Sequence, residues 1–144
     1  WKLESHPSPA FMASFRIIRE SLELQAASLA AQNREAEHVR LLNYWLNQRA
    51  AMTHQPEPFA MAEFEIHRII AEASGNPFLR AASAIIEFGV VHRVQRRVDR
   101  DGHAPPGGLA SELAPEFTAI VRAVERGDSQ EAKLAMFQII SVPS

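Results

Sequence analysis

A chain of 144 residues, 47% of them hydrophobic and 22% charged, is one ordinary domain, long enough to bury about two thirds of its unfolded surface. It holds no cysteine, which excludes disulfides, thiolate nucleophiles and cysteine-ligated clusters, so any metal must be held by Asp, Glu or one of six histidines. A net charge of −2 argues against a domain built mainly to grip phosphate backbones, and no apolar run approaches the roughly 18 to 20 residues of a membrane span. The start Trp1-Lys2-Leu3-Glu4-Ser5-His6 lacks the basic and apolar regions of a signal peptide, so a cytoplasmic protein is expected.

Alanine is abundant and no run alternates as a half-buried strand does, so the chain reads as all-α, a single domain over 1–144 without internal repeats. After Pro7 and Pro9, the series Phe15, Ile18, Leu22, Ala26, Leu29 steps by three and four and marks the inner face of a first helix that stops at Asn33. A second helix is expected from Glu35 to Ala51 with Val39, Leu42 and Trp45 or Leu46 inward, ending before the prolines of 53–58. The third runs from Phe59 to Ala73. Its end, Ser74-Gly75-Asn76-Pro77, offers a left-handed glycine, a helix cap and a first-turn proline in succession. One fourth helix should then carry Phe78, Ala82, Ile85, Ile86 and Gly89 into the basic stretch 92–97. Residues 101–108, rich in Gly and Pro, read as a loop. A fifth helix presents Leu113, Phe117, Ile120, Val121 and Val124 and stops at Gly127; Asp128 and Glu131 open a last helix with Ala132, Ala135, Met136 and Ile139 inward.

Three constellations carry possible chemistry. Glu63 and His67, four apart, project from one helix face and suit a shared metal, a bound carboxylate or a plain surface hydrogen bond. Arg19 lies beside Ile18 and Leu22, where its guanidinium either turns inward toward a ligand carboxylate or reaches out to water. Arg93, Arg96, Arg97 and Arg100 form a basic stripe expected to be a solvated face or a dimer rim. No nucleotide-binding, metalloprotease or serine-hydrolase motif occurs. An enzyme using Glu63 and His67 as an acid–base pair would lack a nucleophile and orienting groups, so no catalysis is expected.

The segment from Glu63 to Leu79 (EFEIHRIIAEASGNPFL) resembles the central motif of the effector-binding domain, the FadR C-terminal or FCD domain, of FadR-type GntR transcription regulators. Arg19 to Ala31 and Glu116 to Ile140 resemble that family's first helix and last two helices, so the likeness covers nearly the whole chain. It implies an antiparallel bundle of six to seven helices that forms a homodimer, senses a small carboxylate or acyl metabolite, and signals to an N-terminal winged-helix DNA-binding domain. That domain is not in this sequence. Residues 1–10, with Trp1-Lys2-Leu3, look like the remnant of the linker that follows it.

The resemblance also implies a site. Metal-binding members complete an acidic residue and a His four later with two more histidines. The matching positions here are Glu63, His67, Phe117 and Ile139, and the last two cannot ligate, so no divalent metal such as zinc is expected. Arg19 matches an arginine that meets the effector's acidic group. An effector pocket of Arg19, Glu63, His67, Phe117, Met136 and Ile139 follows, facing one central cavity and suited to an amphipathic acid. A dimerisation-only domain with a degenerate pocket is the alternative within the same fold.

Overall fold

The computed structural model describes residues 7–142, which form seven helices: α1 (Pro9–Asn33), α2 (Ala36–Ala51), α3 (Pro56–Ala73), α4 (Pro77–Arg80), α5 (Ser83–Arg97), α6 (Ala114–Arg126) and α7 (Ser129–Ile140). The all-helical bundle expected from the sequence is what the chain forms. Helix α3 lies at its centre, flanked by α1, α2 and α5, while α7 packs along α1 and α6. The main core joins the alanines of α1 to Ile66, Ile69 and Ile70 of α3 and to the inner faces of α6 and α7; a second cluster links Phe59 to Ile86, Val90 and Val94 of α5 and to Leu109. No helix among the described residues is long and apolar enough to cross a membrane.

Helix α1 starts at Pro9, capped by the Ser8 hydroxyl accepting from the Phe11 amide, so the last two residues of the expected linker are helical; Trp1-Lys2-Leu3 lies outside the described residues. Its inner stripe matches the expected one in part: Ala26 is buried, and Leu22 and Leu29 pack, partly buried, against the core. Glu23, Ala26, Ala27, Ala30 and Ala31 are buried, whereas Ile18 is half exposed. Methyl-sized side chains let α7 and α3 approach closely, and this displaces the larger residues to the flanks. All of that burial lies in the second half of α1. Phe11, Ile17 and Ile18 leave the first half apolar and exposed.

Helix α3 opens at Pro56, three residues earlier than expected, because Pro56 and Pro58 fit a first turn that needs no amide donors. The corner after it forms as read: Gly75 has φ +73°, and Asn76 caps the Phe78 amide at 2.9 Å. The expected single fourth helix is two. A turn at Ala81 and Ala82 separates α4 from α5 and leaves Phe78 on the surface rather than in the core. The inner faces of α6 and α7 are those expected: Leu113, Phe117, Ile120, Val121, Val124, Ala132, Ala135, Met136 and Ile139 are all buried. The Asp128 carboxylate accepts from the Glu131 amide at 3.1 Å and caps α7.

Residues 98–113 return from α5 to α6 without regular structure but not loosely. The Leu109 amide donates to the Thr53 carbonyl at 2.8 Å and the Ala110 amide to the Thr53 hydroxyl at 2.9 Å. Gly108, at φ +85°, lies so near that a Cβ there would be 2.2 Å from Thr53 Oγ1.

Candidate functional site

Helix α3 carries Glu63 and His67 on its buried face, one turn apart, yet they serve different partners. His67 Nδ1 is 2.5 Å from Glu23 Oε1 on α1, and the other oxygen of Glu23 accepts from Arg19 Nε one turn earlier on the same helix. Glu63 is bound by two guanidiniums, Arg49 of α2 at 3.0 Å and Arg93 of α5. Arg93 also pairs with Glu112, which Arg97 meets at 3.1 Å. Arg49 donates to the carbonyls of Ala110 and Glu112 as well, and its guanidinium stacks 4.4 Å from the centre of the Phe117 ring and 4.8 Å from that of Phe59. The rings of His67 and Phe117 meet at right angles, 5.8 Å between centroids.

These contacts form one continuous chain through the bundle. It begins at Arg19, passes through Glu23, His67 and the Phe117 ring to Arg49 and Glu63, and ends at Arg93, Glu112 and Arg97. Among the expected pocket residues, Arg19, Glu63, His67 and Phe117 are thus brought into one network, while Met136 and Ile139 lie in the main hydrophobic core. The basic stripe is not a solvated face as a whole: Arg93 is buried and ion-paired, and only Arg96 and Arg100 are exposed.

The electrostatics follow from burial and pairing. Burial raises the Glu23 pKa, but the charges of Arg19 and His67 and their hydrogen bonds outweigh it and hold the group at about 2. Burial likewise opposes ionisation of Glu63, and Arg93 and Arg49 together bring its pKa below the ordinary carboxylate value. Glu63 is therefore a fixed anion, not a proton carrier. Four guanidiniums, of Arg19, Arg49, Arg93 and Arg97, face three carboxylates, of Glu23, Glu63 and Glu112, along the chain. The excess is positive.

Arg19 links this network to the surface. A cleft of about 260 Å³ opens between α1, α5 and the end of α7, walled by Met12, Phe15, Arg16, Arg19, Ile140 and Val142. Gly89 of α5 makes room for the guanidinium; a Cβ there would lie 2.6 Å from Arg19 Nη1. Beside the cleft, Phe88 meets Phe15 edge-on at 5.0 Å and Phe11 at 6.1 Å.

Sequence reasoning selected Arg19, Glu63 and His67 and missed Glu23, Arg49, Arg93 as a buried partner, and Glu112. The spacing of four between Arg19 and Glu23 was a usable signal. Arg49 carried none, because its partners are 14, 61 and 63 residues away.

The FCD domain family model matches residues 16–141. Among solved structures, the chain is similar to Streptococcus agalactiae GntR (TM-score 0.69, 19% identity, 90% of this chain and 55% of that one) and to E. coli McbR/YncC (TM-score 0.78, 15% identity, 94% of this chain and 66% of that one). The chain therefore spans between about half and two thirds of the length of these proteins. No curated protein matches it.

Proposed function

Because the chain belongs to the FCD domain family, we propose that it is the ligand-sensing and dimerising part of a FadR-type GntR transcription regulator, controlled by an organic acid and paired, in the whole protein, with an N-terminal DNA-binding domain. The observation that carries the choice of an acid is Arg19. It stands on the wall of an apolar cleft, at the outer end of a buried network whose guanidiniums outnumber its carboxylates. A carboxylate arriving there meets a guanidinium that Glu23 engages through Nε.

The same geometry supports a domain without catalysis. An acid–base pair needs groups that exchange protons, whereas Glu63 is fixed between two guanidiniums and His67 is turned to Glu23. It also supports a sensor without a resident divalent metal. The donors at the expected positions do not fit one, since the Glu63 carboxylate is already covered by two cations and the Arg49 guanidinium lies over Phe117.

A thermal-shift survey of carboxylic acids against their amides and alcohols tests this reading. An effector present at a hundredfold over its Kd adds about 2.7 kcal/mol of stability. Stabilisation by at least one acid and not by its uncharged analogue is expected; a chain indifferent to every acid would refute the sensing role.

A further inference from the structure

Between α5 and α6 the chain crosses the bundle on a segment with strained backbone and few apolar anchors. Gly107 and Gly108 at φ +85° and Leu113 at φ +64° are left-handed, and Leu113, unlike a glycine, holds that conformation against the repulsion between its Cβ and the carbonyl oxygen that follows. Helix α6 begins directly after it without a side-chain cap. Within 109–113 only the two leucines are buried. Polar contacts supply the rest of the hold. Thr53 accepts from the amides of Leu109 and Ala110, Arg49 donates to the carbonyls of Ala110, at 3.0 Å, and Glu112, and Arg93 and Arg97 pair with the Glu112 carboxylate. A recess of about 280 Å³ adjoins the segment on one side, bordered by Leu46, Arg49, Ala110, Ala114 and Arg122. Arg49 thus touches both this recess and, through Glu63, the interior.

We propose that residues 109–113 are an ionic strap that opens as a unit on the folded bundle and forms the port to its interior, with Gly107 and Gly108 as one hinge and Leu113 as the other. Opening frees Leu113 to leave the left-handed region, which offsets part of the cost of withdrawing Leu109 from the second hydrophobic cluster. Glu112 is the latch. It is the only charged side chain of the strap, and at 29% exposure its pairs with Arg93 and Arg97 are open to screening, so the hold weakens with salt whereas the apolar packing around α3 does not. With the strap withdrawn, the recess runs on past Arg49 to Glu63 and to the Phe117 ring on which Arg49 stacks. The motion is a property of the chain and does not depend on the sensing role: indifference to every acid would leave it standing.

The test uses the 144-residue chain, with native-state hydrogen exchange for the motion and thiol labelling for the port. The amides of Leu109 and Ala110, both bonded to Thr53, should be at least about tenfold less protected than those of Ile66, Ile69 and Ile70 in α3, and should lose about threefold more protection between about 0.05 and about 1 M sodium chloride. Glu112→Gln spares the Arg49 contacts, which use backbone carbonyls, and should lower protection at 109 and 110 about tenfold while changing that of α3 less than about twofold. Arg97→Gln, also partly exposed, should act in the same direction and decides the matter if the first variant folds poorly. Because the chain has no cysteine, the thiol of Ala60→Cys, in the cluster that includes Leu109, reports access by itself. It should label about tenfold faster in the Glu112→Gln background, whereas the thiol of Ala30→Cys, in the main core, should not change. Exchange at 109 and 110 no faster than in α3, an equal loss of protection in both regions, or equal labelling of the two thiols would overturn the proposal.

Discussion

Glu23 is an anion fixed inside an alanine-rich helix face, and its cost is offset only by Arg19 and His67. Its pKa is about 2 in the folded chain against 4.5 unfolded, so the folded state binds the proton less tightly. The stabilisation, about 3 kcal/mol, is complete above pH 4.5 and disappears as the pH falls toward 2. Urea denaturation at closely spaced pH values should show this loss, and Glu23→Gln should flatten the slope in that window while lowering stability at neutral pH. Arg49 holds the other half of the network. Arg49→Ala leaves Glu63 with Arg93 alone and strands two carbonyls, and should cost about 3 kcal/mol by the same assay. At this scale the sequence held a usable signal only where partners share a helix, and even there Glu23 was missed. Arg19 and Glu23 lie one turn apart, whereas the meeting of Arg49 with Glu63 and the 110–112 backbone is a product of the fold.

At the scale of the element, caps and corners were legible because they are local chemistry. Asp128 holds the start of α7 through one side-chain bond, and Asp128→Ala should lower stability by about 1 kcal/mol in thermal or chemical denaturation, leaving the helical content of the folded chain intact. The division of α4 from α5 was not legible. Residues 78–97 hold no Pro, and their apolar spacing suits one helix as well as two, so nothing local marks the turn at Ala81 and Ala82. The inner stripe of α1 was legible in part, through Leu22, Ala26 and Leu29. Hydrophobic size also points to Ile18, which is half exposed, whereas the full burial falls on Glu23 and the alanines.

The whole molecule displays Ile17 on α1 and Leu134 and Phe137 on α7, two helices packed along one another, as large apolar side chains open to water. Light scattering should give twice the monomer mass of 16.1 kDa, in keeping with the proposed dimer, and Phe137→Glu should shift the chain toward the monomer. The overall bundle was legible because helical periodicity persists through most of the chain, and the family resemblance placed its order. The attachment of Thr53 to Leu109 and Ala110 has a kinetic consequence. It closes a loop of more than fifty residues that contains all of α3, α4 and α5, so its closure entropy is repaid only after those helices have docked. The contact therefore belongs to the native side of the folding barrier. In stopped-flow chevrons Thr53→Ala should steepen nothing on the refolding limb and raise the unfolding rate by about tenfold, the signature of a clasp that sets how long the bundle stays closed rather than how fast it forms.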